Sequence, residues 1–158
     1  MNAGRILAAL AMMTVASTAS AQVTQDVTIA VNAISQIAVT GGAQSLTIST
    51  ATAGSNPTDA SVTLSWAVTT NQTNQKITAS IDAAMPANVT LRAQLEAPAG
   101  GTSFGPNPLS TSSVDLVGNI STLAESGLDL IYTLSATPAA GVVASTTRTV
   151  TYTITAGP

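Results

Sequence analysis

The side chains that most often carry out catalysis are scarce in this chain. It has no His and no Cys, so the usual general base, the thiolate nucleophile and the commonest zinc ligands are absent. Serine is abundant, but a serine nucleophile needs an activating base, and the single lysine, Lys76, does not follow a serine at the Ser-x-x-Lys spacing. We therefore predict that the protein is not an enzyme and has no catalytic, cofactor-binding or metal site.

Paired carboxylates need separate consideration, because two acids suffice to hydrolyse a glycosidic bond. Glu125 and Asp129 lie four residues apart in a stretch with the composition of a turn entering a strand. Strand alternation puts Asp129 on the face opposite Leu128 and Leu130, which indicates a solvated position. A calcium site gathers several oxygen ligands in one loop, whereas the acids here are spread singly. These residues therefore predict neither hydrolysis nor metal binding.

The charge of the chain excludes two further classes of function. Its net charge is −3 at pH 7, and it has only four Lys and Arg residues. A protein with so few cations has little means of releasing counterions from a phosphate backbone, so nucleic acid is not an expected partner. A basic patch for the surface of an anionic membrane is excluded on the same grounds.

The first 21 residues have the pattern of a secretory signal peptide. Arg5 gives a positive start, an apolar run covers residues 6–15, and Ala19-Ser20-Ala21 matches an A-x-A cleavage site. The apolar run is about half the ~20 residues that a spanning helix needs. We therefore expect residues 1–21 to be cleaved and residues 22–158 to form a single domain with no membrane span. Its expected location is the periplasm, the cell surface or the extracellular space.

The mature chain alternates apolar and polar residues in many short runs, which is the signature of half-buried strands. Thr is common in these runs, and its branched side chain suits a pleated sheet. The predicted strands cover residues 27–31 (with a continuation towards 39), 45–50, 62–68, 77–81, 89–95, 114–116, 128–134 and 147–155. About eight short strands joined by turns predict an all-β fold, an antiparallel immunoglobulin-like β-sandwich. A closed barrel is the alternative.

The aromatic residues separate into core positions and one exception. Trp66, Tyr132 and Tyr152 each share the apolar phase of a strand, so we expect them to face the core. Phe104 lies off any strand pattern, in a Pro- and Gly-containing loop over residues 97–113. It is a candidate for an exposed binding anchor, or for a plug that closes one end of the sandwich.

The early strand is the other candidate functional feature. Val27, Ile29 and Val31 alternate with small or polar residues within ten residues of the predicted cleavage site. Such a segment could complete the sheet of a neighbouring subunit by strand addition, or it could pair within its own domain. In the first case, main-chain hydrogen bonds would join subunits that have no disulfides.

The leader, the early alternating strand and the terminal Thr149-Val150-Thr151-Tyr152-Thr153-Ile154 together resemble secreted fimbrial-type subunits. Spore-coat-U-like proteins of Gram-negative bacteria are the group that the chain resembles most in style. The resemblance implies an immunoglobulin-like fold, export, and assembly into fibres by donated strands, with a periplasmic chaperone as a candidate partner.

These observations predict an exported, non-enzymatic protein with a structural or adhesive role at the cell surface. Its expected partners are copies of itself or other surface proteins. The first alternative is a monomeric module that binds carbohydrate or protein through Phe104 and its loop. The second is an enzyme whose site consists of carboxylates alone.

Overall fold

The structure of the protein, a computed structural model, describes residues 21–158. The predicted signal peptide, residues 1–21, lies outside the described residues except for Ala21. The chain divides into two units, Met1–Val31 and Asn32–Pro158. In the first unit, residues 21–31 are all exposed and belong to no strand.

Between Asn32 and Pro158 the chain forms nine strands and one short 3-10 helix, Pro138–Ala140. The strands are β1 (Ser35–Val39), β2 (Ala60–Thr70), β3 (Gln75–Ile81), β4 (Val89–Leu95), β5 (Thr102–Ser103), β6 (Asn107–Pro108), β7 (Val114–Ile120), β8 (Leu123–Ala136) and β9 (Val150–Ala156). The count is nine instead of the predicted eight because β5 and β6, of two residues each, lie in the predicted loop 97–113, while the predicted strand 45–50 is absent.

The strands form two antiparallel sheets. The first has the order β1-β2-β8-β4-β6 and the second has the order β5-β7-β3-β9. The all-β, antiparallel prediction is therefore confirmed, and the arrangement is that of a two-sheet sandwich. Residues 27–31 and 45–50 belong to no strand, so the predicted strand 45–50 is wrong for the described structure. Of the strand predicted from residue 27 towards residue 39, only the continuation is found, as β1. Residues 27–31 and 45–50 both have strand-like alternation, but neither has a sheet partner there.

One apolar core lies between the sheets. From the first sheet it receives Trp66, Leu95 and Leu130, and from the second sheet Ile77 and Leu116, each exposed by 1% or less. The buried positions are two residues apart along β3 and β4, as the alternation predicted, whereas in β7 the consecutive residues Leu116, Val117 and Gly118 are all buried. The Trp66 ring is buried as expected, and its Nε1 has no hydrogen-bond partner in the described structure.

A β-bulge in β8, opposite Trp66 and Ala67, shifts the register between β2 and β8 by one residue. Leu128 pairs with Trp66, whereas Ser126 pairs with the next residue, Ala67, so Gly127 is left unpaired. Gly127 has φ +77°, a backbone conformation that costs a glycine little and an L-residue about 1–2 kcal/mol. The extra residue increases the local twist of the two longest strands.

A pair of tyrosines connects the sheets at the margin of the core. The Tyr152 hydroxyl on β9 donates a hydrogen bond of 2.7 Å to the Tyr132 hydroxyl on β8. Burial raises the pKa of both hydroxyls, and for Tyr152 the bond that it donates raises the pKa further. For Tyr132 the accepted bond offsets part of the rise. Both groups therefore stay protonated in the folded state at a pH where unfolded tyrosine ionises.

This pair predicts a loss of stability in alkali. Tyrosines in the unfolded chain ionise near pH 10, whereas the folded pair resists ionisation, so the free energy of unfolding should fall as the pH rises above about 10. Urea unfolding at pH 8 and pH 11, followed by Trp66 fluorescence, measures this fall. In the double variant Tyr132→Phe/Tyr152→Phe, which has no tyrosine left, the fall should be smaller. An equal fall in both proteins would contradict this assignment.

Candidate functional site

The segment 21–31 presents an exposed row of apolar side chains. Val27, Ile29 and Val31 are 75%, 88% and 84% exposed. Thr28 and Ala30 alternate with them, so an extended backbone would put all three apolar side chains on one face. A row of this kind is the pattern of a strand that buries one face. In the described structure, that face is not buried.

The first residues of the unit Asn32–Pro158 are hydrogen-bonded to the carboxyl end of β2. The Asn71 side chain receives a hydrogen bond from the Ile34 backbone N–H and donates one to the Asn32 carbonyl, both of 2.8 Å. The Thr70 hydroxyl donates to the Ile34 carbonyl at 3.0 Å. These bonds hold Asn32 and Ile34 beside the carboxyl end of β2.

A groove of about 880 Å³ lies near the other end of β2. Its apolar lining includes Met85, Val89, Leu91, Leu134 and Ala136. Two stretches outside any strand, residues 44–50 and 143–148, also line it. We call these stretches the two walls of the groove. Because neither wall belongs to a strand, its backbone N–H and C=O groups are not used in a β-ladder and could pair with an additional strand.

The wall 44–50 is held to the sandwich by its apolar side chains. Leu46 packs against the core, and Leu46 and Ile48 are both partly buried, while their neighbours are exposed. The wall therefore has the alternation of a strand although it pairs with none.

The wall 143–148 is held at its carboxyl end. Asp82 and Thr149 exchange two hydrogen bonds, one from each backbone N–H, of 3.1 and 2.9 Å. The Arg148 guanidinium donates to the Ala84 carbonyl through Nε at 3.2 Å and through Nη2 at 2.8 Å. The wall is thus fixed where β9 begins, and residues 143–147 before it are exposed.

Charge is almost missing from this region. Among the described residues that line the groove, Arg148 has the only charged side chain. The ion pair found within residues 21–158, Lys76 with Asp115 at 3.1 Å, does not involve it. Arg148 is partly buried and its hydrogen bonds go to carbonyl groups, so its positive charge has no carboxylate partner in the described chain.

Phe104, the other candidate, is partly covered. Its side chain is 49% exposed, and its ring lies against Gly118, so closely that a Cβ there would be 3.0 Å from the ring. Its backbone N–H donates to the Leu116 carbonyl at 2.9 Å. The ring is therefore packed on one side against Gly118, and about half of the side chain remains accessible.

Two glutamate side chains accept hydrogen bonds from backbone N–H groups. Glu125 accepts a hydrogen bond of 2.7 Å from the Ala99 N–H, and Glu96 accepts one of 2.8 Å from the Asp129 N–H. Asp129, paired with Glu125 in the sequence argument, is exposed. Within residues 21–158 no group of three or more acidic or other metal-ligating side chains comes together.

The sequence argument missed one motif. Residues 101–105 read Gly-Thr-Ser-Phe-Gly and match the Gly-x-Ser-x-Gly pattern of serine hydrolases. A scan of the glycines alone would have found it. In those enzymes the serine is exposed on a turn between a strand and a helix, and a His activates it. Here Ser103 is the last residue of β5, and its hydroxyl donates a hydrogen bond of 2.6 Å to the Leu95 carbonyl at the end of β4. The chain has no His to activate it.

Across residues 21–158, none of the helices is long and apolar enough to cross a membrane.

Comparisons with known proteins identify no relative of this chain. The chain matches no protein-family model, no curated protein and no solved structure.

Proposed function

We propose that this protein is an exported, non-enzymatic structural subunit of the cell surface, which associates with copies of itself by donating residues 22–31 as a strand. The observation that carries the proposal is the exposed row of Val27, Ile29 and Val31. Leaving three branched apolar side chains in water is unfavourable, at about 25 cal/mol per Å² of apolar surface. A partner that buries this row would recover that free energy.

The sandwich supports the proposal with an open sheet edge. β9 pairs with β3 on one side and has no hydrogen-bonded strand on the other among residues 21–158, although β1 of the first sheet lies near it. Edge strands are sites at which another chain adds by main-chain hydrogen bonds, with alternate side chains giving specificity. The chain therefore offers both an unpaired segment and an unpaired edge.

An immunoglobulin-like topology fits the two antiparallel sheets of five and four strands around one core. Stability by association also suits a chain with no cysteine. Small exported domains commonly gain stability from disulfides, which this sequence cannot form.

A structural role is supported by how the polar side chains are used. Carboxylates that might act in pairs hold backbone N–H groups at loop ends, and the Ser103 hydroxyl is bonded to a carbonyl. The His and Cys that would activate a nucleophile are missing from the sequence. The leader pattern of residues 1–21 supports export, because secretory signal peptides have this pattern.

The donated strand is tested by placing charge on each of its two faces. In the mature protein, Val27→Asp/Val31→Asp should abolish association, because the charges would have to be buried. The matched control Thr28→Asp/Ala30→Asp places two charges on the opposite face and should still associate. Size-exclusion chromatography and electron microscopy measure the state of each protein, and circular dichroism verifies that each remains folded.

Two results would contradict the proposal. One is a wild-type mature protein that stays monomeric up to high micromolar concentration. The other is loss of association to the same extent in both double variants, which would show that strand alternation plays no part.

A further inference from the structure

We infer that the outer face of β5 and β7 binds a neutral saccharide, with the exposed part of the Phe104 ring against the C–H face of a pyranose ring and the side chains of Thr102 and Asn119 bonded to its hydroxyl groups. We call these three side chains the Phe104 patch. The inference goes beyond the proposed function, because it gives the subunit a ligand other than copies of itself. The position of the ring, the polar groups beside it and the lack of charge each support it.

The pairing of β5 with β7 places the Phe104 patch on the side of the second sheet that faces away from the core. Thr102 pairs directly with Gly118, so both point to the same face of the sheet. Ser103, the next residue, points to the other face and donates its hydroxyl hydrogen bond to the Leu95 carbonyl of the first sheet. Thr102 and Phe104 are both exposed, as this alternation requires.

Gly118 provides the contact on which the Phe104 ring rests. A Cβ at Gly118 would lie 3.0 Å from the ring Cζ and 3.3 Å from Cε2, so a larger residue would displace the ring. The ring therefore rests on the sheet through these atoms, and 49% of the side chain remains exposed. The π face of an aromatic ring carries partial negative charge, which attracts the partly positive C–H groups of a pyranose face.

An amide and a hydroxyl lie beside this contact. The Asn119 side chain donates a hydrogen bond of 3.1 Å from Nδ2 to the Thr102 hydroxyl. This bond orients both groups and leaves the Thr102 O–H as a donor and the Asn119 Oδ1 as an acceptor, for which the described residues supply no partner. A site for a small ligand typically combines aromatic surface with a few oriented polar groups of this kind.

The charge around the Phe104 patch favours a neutral ligand. Residues 97–113 contain no charged side chain. The one charged residue of β7, Asp115, is paired with Lys76 at 3.1 Å. These elements therefore offer neither an unpaired cation to an anionic sugar nor an unpaired carboxylate to a cationic ligand.

The extent of exposed apolar surface favours a sugar over a protein partner. Among residues 40–141, Phe104 is the only large hydrophobic side chain that is exposed. A fully buried aromatic side chain accounts for about 150–250 Å², whereas a stable protein interface buries about 800 Å² on each partner. One half-exposed ring therefore matches a single pyranose better than it matches a protein surface.

The loop that carries Phe104 is held in place without a ligand. The Phe104 N–H donates to the Leu116 carbonyl at 2.9 Å, which continues the pairing of β5 with β7. Near the start of the loop, the Ala99 N–H donates to the Glu125 carboxylate at 2.7 Å. A ring fixed in this way costs little ordering entropy when a ligand binds.

Saturation-transfer NMR of the mature protein with cellohexaose or chitohexaose tests the site, because both are neutral chains of pyranose rings with equatorial substituents. Wild type should saturate their ring C–H protons. Phe104→Ala should weaken binding at least about tenfold, and Phe104→Tyr should keep it. The matched control Val142→Ala shortens another exposed apolar side chain and should bind as wild type does.

Four results would overturn the inference. The first is a wild-type protein that binds neither oligosaccharide at concentrations up to about 10 mM. The second is equal binding by wild type and Phe104→Ala, and the third is tighter binding of the anionic polymer polygalacturonate. The fourth is reduced self-association of Phe104→Ala without any oligosaccharide binding, which would assign the ring to a protein contact.

Two further variants test the geometry of the site with cellohexaose. In Gly118→Ala the added Cβ meets the tip of a movable ring, so the domain should still fold, while the shifted ring should lower the affinity about threefold or more. Asn119→Gly removes the amide at a residue whose φ of +58° suits glycine, and loss of its hydrogen bond should lower the affinity by a similar factor. Circular dichroism verifies folding, and unchanged affinity in both variants would contradict the geometry.

The saccharide site and the donated strand are tested separately. Val27→Asp/Val31→Asp should bind cellohexaose as wild type does, because neither residue belongs to the Phe104 patch. A monomeric wild-type protein that binds cellohexaose would contradict strand donation alone. A protein that associates but binds no oligosaccharide would contradict the saccharide site alone.

Discussion

The burial of one apolar core between two sheets is the interaction on which this domain depends. The chain has no cysteine, so no disulfide can replace it. Trp66, Ile77 and Leu130 are almost fully enclosed, and the bulge at Gly127 shifts the register of the strands beside Trp66. Hydrophobic burial is the dominant favourable contribution to folding. An apolar row that remains outside this core therefore has a free energy still to gain, and that is the situation of residues 27–31.

Backbone hydrogen bonding adds a second constraint to the first. The edge of β9 and the walls of the groove contain peptide groups that no strand ladder occupies among residues 21–158. Water satisfies such groups while they are exposed, and a strand from another copy would satisfy them while burying its own apolar face. The proposed association therefore joins two incomplete surfaces of the same chain.

Several charged side chains are also used to satisfy backbone groups. With few charged residues, the protein uses Glu96, Glu125, Asp82 and Arg148 to fix backbone groups at the ends of strands and loops. The tyrosine pair similarly satisfies two hydroxyls at the margin of the core and connects the sheets.

The sequence by itself determined the all-β class, the strands of the core and the positions of Trp66 and the tyrosines, because alternation with period two specifies which face of a strand is buried. It did not decide whether an alternating run has a partner. Residues 27–31 and 45–50 read as strands, yet belong to none, since pairing depends on which backbone lies alongside. The groove was likewise invisible, because its lining comes from distant stretches of chain. Only the tertiary structure brought Met85, Leu134 and Arg148 together around it.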